Sequence, residues 1–256
     1  MDLGLKGKVV IVTGSSQGIG RVIVRTFAEE GANVVIADVQ DEAGNKVAQE
    51  CKSKGVDAIY VKTDVSKLEE TDKLVKATLD KFSRVDVLVH DAAAYSLGRF
   101  VERPLEEWDK VIAVCQYGAM NCSRSVLGPM IEQKSGSLIN IGSDGGRIGE
   151  ANQAVYSGAK GAVISFTKAV AQEVGRFGIR ANVVCPSITL TEENMPFIET
   201  VYFKDAERKK RALALYPLRK FGTGEDVANT VAFLASDKAG HITGQTISVN
   251  GGFCML

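Results

Sequence analysis

Seven short runs of apolar residues punctuate the chain. The first, Lys8-Val9-Val10-Ile11-Val12-Thr13, ends at a glycine. A continuous apolar run of this length predicts a strand buried on both faces. The same pattern predicts strands at 33–38, 58–61, 85–89, 137–142, 179–184 and 245–249. Between them apolar positions recur with a helical period, which predicts helices from the glycines after strand one to about Glu30, over 41–54, up to about Phe82, over 104–130, over 153–176 and ahead of the last strand. Ser66 with Glu69 reads as a capping box for the third helix, and Trp108 reads as a core residue. Strand and helix alternate with no linker, repeat or low-complexity segment. The expectation is therefore a single α/β domain spanning 1–256, a doubly wound seven-stranded parallel sheet with helices on both faces.

In such sheets ligands bind beyond the strand C-termini. Gly14, Asp38, Asp64, His90, Ser143 and Pro186 all fall there. Gly14-Ser15-Ser16-Gln17-Gly18-Ile19-Gly20 links strand one to an amphipathic helix. Glycines there let the backbone turn and let a phosphate approach the helix N-terminus, where free N–H groups and the dipole favour an anion; a plain glycine turn is the alternative. Asp38 ends strand two about 20 residues beyond the loop, where an acid can accept hydrogen bonds from an adenosine ribose. It would repel a 2′-phosphate, and no Arg or Lys lies between Gly14 and Gly20 or at positions 39 and 40. NAD is expected rather than NADP. Asp38 as a helix N-cap is compatible with this.

Tyr156 and Lys160 sit four apart within 153–176 and so share a helix face. A nearby cation favours the phenolate and lowers the phenol pKa, which would make the pair a proton carrier near neutral pH.

Composition narrows the field. The 256 residues carry 31 Lys+Arg against 31 Asp+Glu, which leaves no electrostatic footprint for nucleic acid or an anionic membrane. No apolar run is long enough to span a bilayer and the N-terminus has no signal-peptide pattern. The five cysteines show no Cys-x-x-Cys spacing, and the two histidines, His90 and His241, are far apart, so neither a disulfide framework nor a metal site is expected. A cytoplasmic location is the simplest expectation.

The motifs Thr13-Gly14-Ser15-Ser16-Gln17-Gly18-Ile19-Gly20, Asp64-Val65, Ser143, Tyr156-x-x-x-Lys160, Asn182-Val183-Val184-Cys185-Pro186 and Ile242-Thr243-Gly244-Gln245, in this order, resemble the short-chain dehydrogenase/reductase family over essentially the whole length. The resemblance implies a Rossmann fold and interconversion of a secondary alcohol and a ketone. It implies that Tyr156 is the general acid or base, Lys160 lowers its pKa and holds the nicotinamide ribose, and Ser143 binds the substrate oxygen. Gly14, Ser16, Gln17, Gly18, Ile19 and Gly20 would cradle the pyrophosphate, and Asp64 and Val65 would flank the adenine. Thr189 and Thr191 would hold the nicotinamide end, and His90 joins the cofactor contacts from the end of strand four. Family members are usually tetramers, which implies a homotetramer with the apolar C-terminus buried in an interface.

Three positions depart from the family pattern: His90-Asp91-Ala92-Ala93, Pro186-Ser187, and Cys115 where an asparagine usually anchors a proton-relay water. Three readings follow: the relay is rebuilt by other groups, the chain is a weakened subunit of a hetero-oligomer with a related chain, or Cys115 has redox or nucleophilic chemistry of its own. Substrate is expected to lie under a loop at about 187–216, where apolar residues precede the basic run Arg208-Lys209-Lys210-Arg211. That run could meet coenzyme A phosphates or be a solvated helix face. Asp144, Arg147, Glu150, Asn152 and Gln153 suggest a polar lining, unless Asp144 and Arg147 form a structural ion pair. Ser143-Asp144-Gly145-Gly146-Arg147-Ile148-Gly149 is similar to a subgroup acting on hydroxyacyl-CoA compounds, such as 2-hydroxycyclohexanecarboxyl-CoA dehydrogenases. The substrate expected on that basis is a β-hydroxyacyl-CoA, with a sugar or polyol as the alternative.

Overall fold

The computed structural model describes residues 2–256. In chain order its strands are β1 (Val9–Thr13), β2 (Asn33–Asp38), β3 (Ala58–Lys62), β4 (Val87–His90), β5 (Gly136–Ile141), β6 (Ile179–Pro186), β7 (Thr189–Leu190), β8 (Gly222–Thr223) and β9 (Thr246–Val249). Seven of them form one sheet in the order β3-β2-β1-β4-β5-β6-β9, and every pairing in it is parallel. The chain leaves the β3 edge and re-enters beside β1, so the switch point lies between β1 and β4.

The α-helices among the described residues are α1 (Gly18–Glu29), α2 (Asp41–Lys52), α3 (Leu68–Phe82), α4 (Leu105–Val111), α5 (Gly118–Gln133), α6 (Gly145–Ile148), α7 (Ala154–Val174), α8 (Met195–Val201), α9 (Ala206–Ala214) and α10 (Gly224–Ala235). Alternation along β1 divides the core. Val10 and Val12 face Ile23, Val24 and Phe27 of α1 and Val227 and Val231 of α10. Ile11 faces Leu74 of α3, Val126 and Met130 of α5, and Val170 and Val174 of α7. The strands are apolar on both faces because helices cover both. No helix among the described residues is long and apolar enough to cross a membrane.

Several local expectations fail for identifiable reasons. The Ser66–Glu69 capping box does not form. The Ser66 hydroxyl donates instead to the nearer Asp64 carboxylate at 2.6 Å, α3 begins after Lys67 without a side-chain cap, and Glu70 accepts the Asp64 N–H at 2.7 Å. The capping box in this fold is Thr223–Asp226, at the start of α10. Trp108 is half-buried, stacked on exposed Phe100 at 4.7 Å, and lies outside the core. The helical stretch 104–130 is broken by a π-helical turn, Ile112–Tyr117, with Cys115 buried inside it. The expected substrate loop is largely ordered: it contains β7, α8 and α9, and Asp205 caps α9 by accepting the Arg208 N–H. Helices this short carry too few turns to show a period in sequence.

Candidate active site

A cleft of about 1090 Å³ opens at the C-terminal ends of β1, β2, β4, β5 and β6. Its floor depends on two glycines. Gly14 has φ +67°, and a Cβ there would lie 2.7 Å from the Ala92 Cα. A Cβ at Gly20 would lie 2.3 Å from the Gly14 carbonyl oxygen. Helix α1 starts at this point with no side-chain cap and no acid in its first turn. Its leading N–H groups are therefore left for an anion from elsewhere. One such anion comes from the chain itself: Gly18 N–H donates to the Glu193 carboxylate at 3.1 Å, and Arg21 bridges Glu192 at 2.5 Å and Glu193 at 2.9 Å. A phosphate on this turn must displace Glu193. Glu193→Gln is expected to tighten dinucleotide binding about threefold or more, as one charged competitor near a helix N-terminus is lost; titration calorimetry reads the change.

Asp38 is nearly buried and accepts three backbone N–H groups, from Ser16 at 3.0 Å, Val39 at 2.8 Å and Gln40 at 3.2 Å. The N-cap of α2 is Gln40, so Asp38 ties strand two to the glycine loop rather than capping the helix. The Ser16 hydroxyl is buried with no partner. Asp38, Asp64, Val65, Gln17, Gly18 and Ile19 all line the cleft. An acid at the strand-two end, an unpartnered hydroxyl and a backbone cradle with no room for a Cβ together fit a dinucleotide.

His90 is a correction. It is fully buried beneath the cleft, its Nδ1 3.0 Å from the Thr13 hydroxyl, so its ring offers no surface to a ligand. Burial and the Lys160 cation push it down to about 3, against the Cys115 carbonyl, and it stays neutral. Its neighbour Asp91 lines the cleft instead. Burial pushes Asp91 from 3.8 up to about 6, against Lys160 and the Gly20 N–H. A carboxyl raised in the fold contributes stability that is complete below its unfolded pKa and lost as pH rises through the folded one. Asp91 thus costs about 3 kcal/mol above pH 6, at 1.36 kcal/mol per unit. Asp91→Asn is expected to raise Tm at pH 7.5 and to lose that advantage below about pH 4. His90 is common to both proteins, so the difference between their thermal melts isolates Asp91.

Ser143, Tyr156 and Lys160 all line the cleft. Lys160, buried on α7, donates to the Ile141 carbonyl at 2.6 Å and stands 5.7 Å from the Tyr156 ring centre. Tyr156 packs edge-on against Tyr95 at 5.1 Å and beside the cluster of Val111, Cys115 and Ala159. Ser143 Oγ accepts the Gly145 N–H at 3.1 Å. The expectation of a lowered phenol pKa does not hold. Burial raises the Tyr156 phenol, and Lys160 and the Ser143 hydroxyl oppose it without prevailing. Burial also works against the Lys160 cation, but Tyr156, Cys115 and Asp91 outweigh it and hold Lys160 above its ordinary range. The Cys115 thiol is fully buried and donates to the Ala94 carbonyl at 3.3 Å.

Beyond Ser143 and Tyr156, a second cavity of about 480 Å³ runs under α8 and α9. Both side chains line both spaces. The second is walled by Phe197, Tyr202, Phe221 and Phe253, with Glu150 and Gln153 on one side. Thr189 lines this cavity rather than the cleft, and Thr191 lines neither, its N–H donating to Asn194. Asp144 is buried and bound by Ser248 and Asn250; Arg147 binds Ser248 and the Leu256 carbonyl. The two meet through Ser248, hold the C-terminal segment and do not line the cavity.

Known proteins with these features agree in sequence and in shape. A family profile described as enoyl-(acyl carrier protein) reductase matches residues 14–254. The chain belongs to the short-chain dehydrogenase/reductase family. Among members of that family, the chain is similar to the 3-oxoacyl-acyl-carrier-protein reductase FabG of Staphylococcus epidermidis, 40% identical over 97% of this chain and 99% of that one. It is also similar to a 3-oxoacyl-acyl-carrier-protein reductase of Synechocystis, 39% identical over 98% and 99%. The crystal structure of gox2181 superposes with a TM-score of 0.92 at 32% identity over 98% and 97%. Sequence reasoning overlooked Tyr95 and Glu193, and gave Asp91 no role beyond its place in the departure at His90-Asp91-Ala92-Ala93. Only Asp91 left a signal, as a carboxylate immediately after a buried strand.

Proposed function

We propose that this short-chain dehydrogenase/reductase interconverts a secondary alcohol and a ketone with NAD, acting on a β-hydroxyacyl or β-ketoacyl thioester. The observation that carries this reading is that Ser143 and Tyr156 line both the dinucleotide-shaped cleft and the apolar cavity, with Lys160 buried behind them. When bound, the nicotinamide cofactor supplies the hydride acceptor or donor. In oxidation, ionised Tyr156 takes the hydroxyl proton as the carbinol carbon gives up hydride and C=O forms. In reduction, neutral Tyr156 returns the proton to the oxygen. Ser143 Oγ donates to that oxygen and holds it against Tyr156. Lys160 stabilises the phenolate and is itself fixed by the Ile141 carbonyl.

The residues that would hold the cofactor are Gly14, Gln17, Gly18 and Ile19 at the phosphates, Asp38 at the adenosine ribose, Asp64 and Val65 at the adenine, and Tyr156 and Lys160 at the nicotinamide ribose. Asp38 carries the choice of NAD. A 2′-phosphate beside it would meet a carboxylate already committed to three N–H groups. Asp38→Asn, which removes the charge at constant shape, is expected to cut the ratio of kcat/KM for NAD over NADP by about tenfold or more, as one close like-charge contact is relieved. An unchanged ratio places the selection elsewhere.

The thioester reading is supported by the 3-oxoacyl-acyl-carrier-protein reductase activity for which the relatives are named and by the cavity's aromatic wall, which suits an acyl chain or ring. Ala212 and Leu215 line the cavity next to the basic run Arg208-Lys209-Lys210-Arg211, which suits a phosphate-bearing carrier. A sugar or polyol remains a second reading because Glu150 and Gln153 offer an acceptor and a donor inside the cavity. Turnover of neutral β-hydroxyacyl thioesters against free polyols separates the two.

A further inference from the structure

Eighteen residues line the cavity beyond Ser143 and Tyr156, and among them one is acidic and none is cationic. The acid is Glu150. Its position is fixed on three sides. Gln153 Nε2 donates to its carboxylate at 2.6 Å, and its own N–H donates to the Ser157 hydroxyl at 3.2 Å. A Cβ built on Gly145 would lie 3.4 Å from Ser143 Oγ and 3.6 Å from Glu150 Cδ, so the serine hydroxyl and the acid flank the same small residue. A carboxylate is thus held across one glycine from the Ser143 hydroxyl, in a space walled by aromatic rings. Burial pushes its carboxyl upward, and the nearby Asp144 adds to this. A second anion brought into this space must either stay charged against Glu150 or force one of the two to take up a proton, and both routes cost free energy. No lining cation offsets the cost.

We propose that Glu150 is a specificity-determining charge filter, which excludes substrates with a free carboxylate close to the reacting carbon and admits the uncharged thioester of the same acid. The proposal rests on the reading of this cavity as the substrate pocket and goes beyond it. It explains how one pocket distinguishes a β-hydroxy acid from its activated form when the two share the reacting carbon and its hydroxyl.

The test compares 3-hydroxybutyrate with its neutral N-acetylcysteamine thioester on wild type, Glu150→Gln and Glu150→Ser, with NAD. Wild type is expected to favour the thioester in kcat/KM by roughly a hundredfold, the scale of one like-charge contact in a partly buried site. In Glu150→Gln the gap is expected to narrow by about tenfold or more through a rise for the free acid. A merely structural role would lower both substrates together and leave the ratio unchanged, which overturns the proposal. Glu150→Ser gives the same ratio test should the glutamine variant fold poorly. If neither substrate turns over with NAD or NADP, the oxidoreductase reading fails, and calorimetry still decides the filter. Tighter binding of 3-hydroxybutyrate to Glu150→Gln than to wild type, with NAD at saturation, supports it, and equal binding removes it.

Discussion

Tyr156→Phe is expected to lower kcat for alcohol oxidation by about a thousandfold, within the range that a positioned general acid or base contributes. The substitution isolates the hydroxyl. The ring is held by the edge-on contact with Tyr95 at 5.1 Å and by the cluster of Val111, Cys115 and Ala159, and a phenylalanine keeps those contacts. What disappears is the phenolic oxygen assigned the proton exchange, while the Ser143 hydroxyl stays in place. Tm is therefore expected to change little, and dinucleotide affinity to change severalfold at most. Because burial holds this phenol above its ordinary range, it is neutral near pH 7 and set up to act as the acid of ketone reduction. Oxidation needs the phenolate, so residual wild-type oxidation is favoured at high pH. Steady-state kinetics in both directions read these effects. A Tyr156→Phe enzyme with kcat within tenfold of wild type would show that the proton travels by another route.

Gly20→Ala has the second largest expected effect. The new Cβ would sit 2.3 Å from the Gly14 carbonyl oxygen and 2.9 Å from Asp91 Oδ2. The first of these is backbone and cannot rotate away, so the loop between β1 and α1 must open. Overpacking of this kind costs roughly 1–3 kcal/mol of stability. Opening the loop also moves the N–H groups that would meet the phosphates. Dinucleotide affinity is expected to fall about a hundredfold, because several backbone contacts shift together. Gly18→Ala is the control. Gly18 has φ +58°, but a Cβ there would meet nothing within 4 Å, so its cost is local strain of roughly 1 kcal/mol. Calorimetric titration of NAD into both variants separates a close approach from mere conformational preference. Equal losses in the two would mean that the close approach at Gly20 adds nothing to binding.

The elements that locate the site were legible because each is a statement about one short stretch. An apolar run buried on both faces marks β1, and its glycines mark the approach of α1. Tyr156 and Lys160 needed only a helical period to be placed together. The parts that misread depend on three-dimensional surroundings. Ser66 turned to Asp64 because a carboxylate two residues away outcompetes a helix N-terminus for its hydroxyl. His90 ended under the cleft because the last residue of β4 registers with Thr13 and points into the core. The Tyr156 pKa was expected to fall because the sequence shows the lysine four residues on, but it does not show the depth of burial that outweighs it. Glu193 lies 175 residues from Gly18, a contact that no local pattern announces. Helices α8 and α9 were read as loop because the fold, through Ile198, Tyr216 and Phe221, supplies the packing that orders them.

The central claim is that Ser143, Tyr156 and Lys160 remove a proton from an alcohol whose hydride goes to a nicotinamide ring in the adjoining cleft. The most direct test uses S-(3-hydroxybutyryl)-N-acetylcysteamine deuterated at the carbinol carbon, incubated with NAD and the protein, and follows the label by NMR. The account predicts deuterium at C4 of the reduced nicotinamide, with its appearance suppressed in Tyr156→Phe. Reduced cofactor without the label, or no transfer at all in wild type, would contradict it.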